Sequence, residues 1–411
     1  MTSLRSAYFL PSPPEAIELR AFTHGLMPKT VPAMMEHFVS DWQTYGVDAW
    51  NEIPNHWCPA SGDEVGWWTL PTYLGDKFIA PLLGEPAGTC IMQPNVNWIF
   101  QALLSSKELF REKRKVILTE AEFPSVRFSI NQWADVFDLE IITVPLTEAS
   151  VPEEALLDAI DEDTALVVLS HVGFTTGERL TDAFIKQVAD KVHRMNGLLS
   201  IDGYHSIGAM TAGVVELEID IYFGGLLKEA SGSSGNAYLY LRKGLELSPR
   251  LTGWFGDADP FGFNTQPERH ADVRNRFLGG TTAIASLYHA VEGLRLFASA
   301  GLKTIRADSL KKTNYCIELA DAAGIDIRSP READRRSVMV VFEIERADLM
   351  THFLKENHIY TDSRQQKFLR LAPFVWNTEA EIKRTFEVLK KGLLNKAYQQ
   401  FQTPLKTGPV T

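Results

Sequence analysis

Between residues 76 and 290 short apolar runs alternate with amphipathic stretches, and this alternation constrains the fold more tightly than any other feature of the chain. The strand-like runs are 88–94, 115–121, 140–146, 164–172, 197–203, 219–225 and 236–242; TALVVLSHV and IDIYFGG are typical. Helical spacing of apolar residues fills most of the gaps, as at 97–109, 152–160 and 181–195. Apolar runs this continuous belong in a sheet covered on both faces, and strands separated by helices are joined in parallel. The expected fold class is therefore α/β, with a mainly parallel seven-stranded sheet between helices. In such sheets ligands bind beyond the carboxyl ends of the strands. Asn95, Phe123, Thr175, Asp202 and Lys228 all fall at or just past the end of a strand-like run, so they are expected to meet at one edge.

The flanks read differently. Residues 1–75 are irregular, with Pro11, Pro13, Pro14, Pro28, Pro32, Pro54, Pro59 and Pro71. A helix is expected over 31–45, where Met34, Met35, Phe38 and Trp42 recur at helical spacing. Beyond about 291 a long helical stretch (285–298, then 302–323) leads to a strand at 337–344 and a helix at 347–357. Strands in HIYTDSR and KFLRLAP and a closing helix over 378–394 follow. Thr378 and Glu381 have the spacing of a capping box at the start of that last helix. Three units are expected: an arm over 1–75 that packs on the small domain or a partner subunit, a large α/β domain over 76–290, and a small α+β domain over 291–411. Disorder is expected at the end of the tail 399–411.

The stretch 199–236 carries the clearest chemistry. Its two apolar runs, GLLSID and IDIYFGGLL, lead to Asp202 and Lys228. An acid and an amine delivered to one pocket by neighbouring strands suit pyridoxal phosphate (PLP). The amine bonds to the cofactor aldehyde, and an ionised aspartate keeps the pyridine nitrogen protonated so that the ring accepts electrons. A structural salt bridge would use the same pair, because a buried acid needs a partner.

The totals narrow the field. A chain of 411 residues can hold a large and a smaller domain. A formal net charge of −11, with no offsetting cluster of Lys and Arg, opposes a nucleic-acid partner. No run approaches the length of a membrane span, and the first residues lack the apolar core of a signal peptide. Cys58, Cys90 and Cys316 lie far apart without metal-ligand spacing, as reduced thiols do. A cytoplasmic protein with no membrane partner and no metal site is expected.

Further segments extend the reading: HGLMPKTV (24–31), EFPS (122–125), HVGFTTG (171–177), DGYH (202–205), Lys228 at a strand end, LTGWFG (251–256) and FLRLAP (368–373). In this order they resemble fold-type I PLP-dependent enzymes of the group that holds class V aminotransferases, cysteine desulfurases and kynureninases. The likeness is strongest to kynureninase and spans about residues 24 to 390. It implies that Lys228 anchors the cofactor, Asp202 pairs with the pyridine nitrogen, and Phe123 stacks on the ring. It implies that His205 orients Asp202 or the ring, or is a hydrogen-bonded core histidine. Arg370, with Arg364 as fallback, would bind the substrate α-carboxylate through a two-pronged contact. The phosphate would lie at a helix N-terminus near Asn95 and Val96. Trp254 and Thr281 would reach the site of the neighbouring subunit, which makes a homodimer with shared active sites the expected assembly. The substrate would be an L-α-amino acid.

The chain also departs from the kynureninase pattern. Val126 follows FPS where kynureninases carry aspartate, Phe174 replaces a tyrosine, Gly280 stands in place of an asparagine, and Leu227 precedes the lysine where a phosphate contact is usual. Lost polar contacts change specificity more than fold. The leading expectation is kynureninase-like hydrolytic Cβ–Cγ cleavage releasing alanine. A class V aminotransferase or β-eliminating lyase is the alternative, and a non-catalytic binding protein of the same fold ranks third. A cysteine desulfurase proper is disfavoured, because Cys316 falls within a helical pattern rather than a mobile loop.

Overall fold

The computed structural model describes residues 2–148, 150–266 and 268–401. The expectation of disorder at the chain end concerns residues 402–411 and lies outside them. In chain order the strands are β1 (Ile17–Glu18), β2 (Cys90–Gln93), β3 (Lys115–Thr119), β4 (Glu140–Val144), β5 (Thr164–Ser170), β6 (Leu198–Asp202) and β7 (Ile221–Gly225). They continue as β8 (Ala237–Leu241), β9 (Asp326–Ile327), β10 (Val340–Glu343), β11 (Ile359–Tyr360), β12 (Asp362–Arg364) and β13 (Phe368–Leu371).

Strands β2 to β8 form one seven-stranded sheet of order β2-β8-β7-β6-β5-β3-β4. The pairs from β4 through β3, β5 and β6 to β7 are parallel, whereas β8 is antiparallel to both of its neighbours. The two reversals at β8 cancel, so β2 points the same way as the parallel strands. The carboxyl ends of β2, β3, β5, β6 and β7 therefore open on one edge.

Strands β5 to β8 are buried along their whole length, which explains why their sequences do not alternate. Successive side chains point to opposite faces. Val167, Leu169, Leu199, Ile201 and Tyr222 enter one core, and Leu166, Val168, Leu198, Ile221 and Phe223 enter the other. Helix Asp182–Arg194 covers the first face with Phe184, Ile185, Val188 and Val192. Helices Val96–Leu104 and Pro124–Phe137 cover the second with Ile99, Phe100, Leu103, Val126 and Ile130. The fold is the expected fold-type I α/β architecture.

A four-stranded antiparallel sheet of order β12-β13-β10-β9 follows in the C-terminal part. It shares a third core with helices Leu302–Ala323, Ala347–Glu356 and Glu379–Asn395, through Cys316, Phe342, Leu354, Leu371 and Phe386. Thr378 and Glu381 make both bonds of the capping box that opens the last helix. The helix at Val31–Tyr45 has the expected limits. The stretch expected to be helical over 285–298 is instead two helices, Ile284–Ala290 and Glu292–Ala300, broken at Val291. The N-terminal segment joins the third core as well. β1 pairs in parallel with β11, Ile17 and Leu19 pack beside Cys316, and Arg20 bridges to Ala372 just past β13. Residues 20–25 are thereby carried to the carboxyl edge of the large sheet.

Candidate active site

β7 delivers Lys228 three residues beyond its end, next to the loop that leaves β6. Lys228 Nζ stands 2.7 Å from His205 Nε2 and 4.5 Å from the centroid of the Tyr204 ring. Two glycines make this approach possible. A Cβ at Gly225 would stand 2.4 Å from the Tyr204 ring, so only a bare strand end leaves room for that ring under the amine. A Cβ at Gly25 would stand 2.2 Å from the Lys228 carbonyl oxygen, and Gly25 N–H donates to the Leu227 carbonyl at 3.0 Å. The N-terminal segment thus holds the lysine turn from outside.

Burial sets the electrostatics. The Lys228 amine is pushed below its ordinary value by desolvation, while the charges of Glu229 and Asp202 oppose the shift. Asp202 is pushed up to about 6 by burial, against the pull of the Tyr204 N–H and the Lys228 charge. The Tyr204 N–H donates to Asp202 Oδ1 at 2.9 Å. Burial also drives His205 well below the usual histidine range, and the positive charges of Lys228 and Arg370 add to it. One layer deeper, burial raises the Glu122 carboxyl to about 7, and Ser170 Oγ donates to it at 2.6 Å.

The C-terminal sheet supplies the cationic wall. Arg370 on β13 faces Asp362 on β12 in register. Its Nε donates to Asp362 Oδ1 at 2.7 Å and its Nη2 to Oδ2 at 2.5 Å. Nη1 donates to the Phe174 carbonyl, and the guanidinium lies 4.3 Å over the Phe22 ring. Thr23 Oγ1 donates to the same carboxylate at 3.1 Å. Arg364 pairs with Asp362 at 3.2 Å and is pushed below its ordinary value by burial and then by Arg370.

These groups surround one cavity of about 400 Å³. Asp202, His205, Lys228, Phe123, Val96 and Arg370, all expected from the sequence, line it. Phe123 meets Phe174 edge-on at 5.4 Å, and together with Leu227, Val126 and Val172 they give the cavity an apolar lining. Asn95 does not line the cavity. Its side chain accepts the Trp98 N–H at 2.7 Å as the cap of helix Val96–Leu104, so Val96 and Asn97 of the first turn face the cavity instead. Thr281 is exposed and Trp254 packs against Trp68, Phe261 and Phe263; neither lines the cavity of its own chain. Thr175 lies in a neighbouring open cleft with Arg127 and Arg328.

The family model described as Aminotransferase class-V matches residues 94–365. The chain belongs to this family. It is a PLP-dependent enzyme acting on amino acids. Along its length it is similar to the kynureninase of Geobacillus thermodenitrificans strain NG80-2, with 28% identity covering 97% of this chain and 92% of that one. Its fold is similar to that of the apo cysteine desulfurase from Thermococcus onnurineus NA1, with TM-score 0.79, 18% identity, and 96% and 98% of the two chains covered. It is equally similar to a C-DES variant with glycine covalently linked to its PLP cofactor, with TM-score 0.79, 18% identity, and coverage of 94% and 98%. The residues of this class V enzyme fit PLP: an amine, a carboxyl, a flat apolar ring and a helix first turn line one cavity.

Sequence reading missed Asp362, Phe22, Thr23, Tyr204 and Glu229. The nearest signal for Asp362 was an acid and an arginine on two short strands joined by a tight connection, a pattern that places opposite charges across a hairpin. The side chains of Arg370 and Asp362 are 3% and 0% exposed, so breaking the pair strands a buried charge. Asp362→Asn is expected to destabilise the protein by about 3 kcal/mol, seen as a lower urea midpoint at unchanged slope.

Proposed function

We propose that this enzyme is a kynureninase-like hydrolase that cleaves the Cβ–Cγ bond of an L-amino acid with a γ-carbonyl and releases alanine. The observation that carries this reading is the kynureninase similarity along 97% of the chain. The cavity supports it by gathering an amine, a carboxyl and an arginine around one apolar wall.

In this reading Lys228 anchors the cofactor, Asp202 pairs with its pyridine nitrogen, Phe123 covers one face, and Val96 and Asn97 hold the phosphate at the helix N-terminus. Bound PLP supplies an electron sink for charge developing at the substrate α-carbon. Arg370 binds the α-carboxylate through its Nη1–Nη2 edge, whose Nη1 also donates to the Phe174 carbonyl, and Asp362 and Phe22 fix the plane of that edge. Lys228, its amine pushed down to about 8 by burial, takes the α-proton and returns it as product forms. Phe123, Phe174 and Leu227 exclude stray water from the reacting carbon.

The apolar lining favours a second reading on the same residues, a class V aminotransferase or β-eliminating lyase with a different side chain in the cavity. Phe174 and Val126 line it where a kynureninase would place a hydroxyl and a carboxylate. A desulfurase using its own cysteine is disfavoured. Cys316 is wholly buried within helix Leu302–Ala323, with its thiol pushed up to about 12 by burial, and neither Cys58 nor Cys90 lines the cavity.

The reading includes a homodimer. Trp254, Phe261 and Phe263 form an aromatic patch with 43%, 63% and 75% exposure, an amount of bare ring that calls for a partner surface. Trp254 and Thr281 are the residues proposed to complete the neighbour's cavity. Among the described residues no helix is long and apolar enough to cross a membrane.

With PLP added, the wild-type protein is expected to show a visible absorption band that Lys228→Ala lacks. L-Kynurenine is expected to perturb the band and yield alanine and anthranilate by chromatography; a band that responds only to other amino acids selects the second reading. Arg370→Ala is expected to raise KM for the amino acid at least tenfold, a loss of about 1.4 kcal/mol in binding, while the band persists. Sedimentation at micromolar concentration is expected to give twice the 46.1 kDa chain mass, and Trp254→Ala is expected to lower activity without removing the band.

A further inference from the structure

Glu229 is 1% exposed; its Oε1 lies 3.3 Å from His205 Nδ1, and its buried Oε2 has no hydrogen-bond partner among the described residues. The other ring nitrogen of the same histidine, Nε2, lies 2.7 Å from Lys228 Nζ. Three side chains thus stand in a line, carboxylate to imidazole to amine, with His205 7% exposed in the middle. Glu229 does not line the cavity; its charge acts on the lysine, and its hydrogen-bond link to the amine runs through the ring.

A buried carboxylate is costly unless it holds a partner, and a histidine has two tautomers. If Nδ1 carries the hydrogen, it donates to Glu229 and Nε2 presents a lone pair to the amine. If Nε2 carries it, that nitrogen has no lone pair for a proton from Lys228. We propose that Glu229 is a positioning residue, which holds His205 in the Nδ1–H form so that Nε2 accepts the hydrogen bond of the Lys228 amine.

Other charged and titratable groups face this line. Asp202 and Tyr204 approach from β6 and its loop, and Arg364 and Arg370 from the C-terminal strands. Both arginines repel a proton on Lys228, Arg370 also repels one on His205, and Asp362 pairs with both. Glu229 is the carboxylate within hydrogen-bond reach of the imidazole itself. Burial raises the Glu229 carboxyl to about 8, and the Lys228 charge opposes that shift.

The inference rests on Lys228 being the residue that carries the cofactor. The test is a spectrophotometric pH titration of the holoenzyme. Loss of the visible band in Lys228→Ala upholds that assignment, and its retention overturns it. Given that loss, Glu229→Gln keeps the size and hydrogen-bonding capacity but removes the charge. The pH midpoint of the band is expected to fall by about one unit or more, as when an opposite charge beside a cation is removed. A midpoint unmoved in Glu229→Gln overturns the role of Glu229 and leaves the Lys228 assignment standing. Should that variant fail to fold, the wild-type holoenzyme labelled with 15N-histidine decides. The His205 signal, assigned by its loss in His205→Gln, is expected to show a protonated Nδ1 and a bare Nε2. The opposite tautomer overturns the proposal.

Discussion

The structure of this site depends on keeping charges out of water at the carboxyl edge of the large sheet. Asp202, His205, Lys228, Glu229, Asp362 and Arg370 are each largely or wholly withdrawn from solvent, and each would be too costly to bury alone. They are tolerated because each has a neighbour of suitable charge or hydrogen-bonding character. The result is an amine with lowered proton affinity, an acid with raised proton affinity, and an arginine whose plane is fixed. The same burial that would penalise the fold tunes the chemistry, as expected where titratable groups converge in a cavity.

Three separate parts of the chain share this task. The large sheet aims Asp202 and Lys228 through adjacent parallel strands, β6 and β7. The C-terminal antiparallel sheet adds Arg370 and Arg364, with Asp362 between them. The N-terminal segment, paired through β1 with β11 and bridged from Arg20 to Ala372 past β13, lays Phe22 beneath Arg370, Thr23 on Asp362 and Gly25 against Lys228. A disturbance in any one part shifts the others, because the contacts are backbone approaches and buried ion pairs rather than flexible surface links. The steric demand at Gly25 shows how little slack there is.

Much of the fold was legible in the sequence because it rests on local periodicity. Uninterrupted apolar runs such as TALVVLS announce strands buried on both faces, and helices at 31–45 and 182–194 follow from spacing alone. The break at Val291 was not legible, since apolar spacing continues across it. Within the site, strand ends or motif order mark Asp202, Lys228, Phe123, His205, Val96 and Arg370, and all line the cavity. Asn95 does not line the cavity: an asparagine before a helix suits a helix cap and an anion site equally in sequence, and here its side chain caps the helix.

The sequence by itself determined the α/β alternation, the seven strands and the strand-end placement of an acid and a lysine. Those features depend on neighbours a few residues away. Only the tertiary structure decided that Asp362 locks Arg370, that Phe22 and Thr23 belong to the cavity, and that Glu229 reaches Lys228 through His205. Asp362 and Arg370 are close in sequence, yet their register depends on how the hairpin pairs. Residues 22 and 370 meet only because a parallel pairing of β1 with β11 brings distant segments together. Glu229 adjoins Lys228 in the chain but points away from the cavity, and the histidine between their side chains comes from the next strand. Such contacts are set by packing across the sheet edge, which no local pattern encodes.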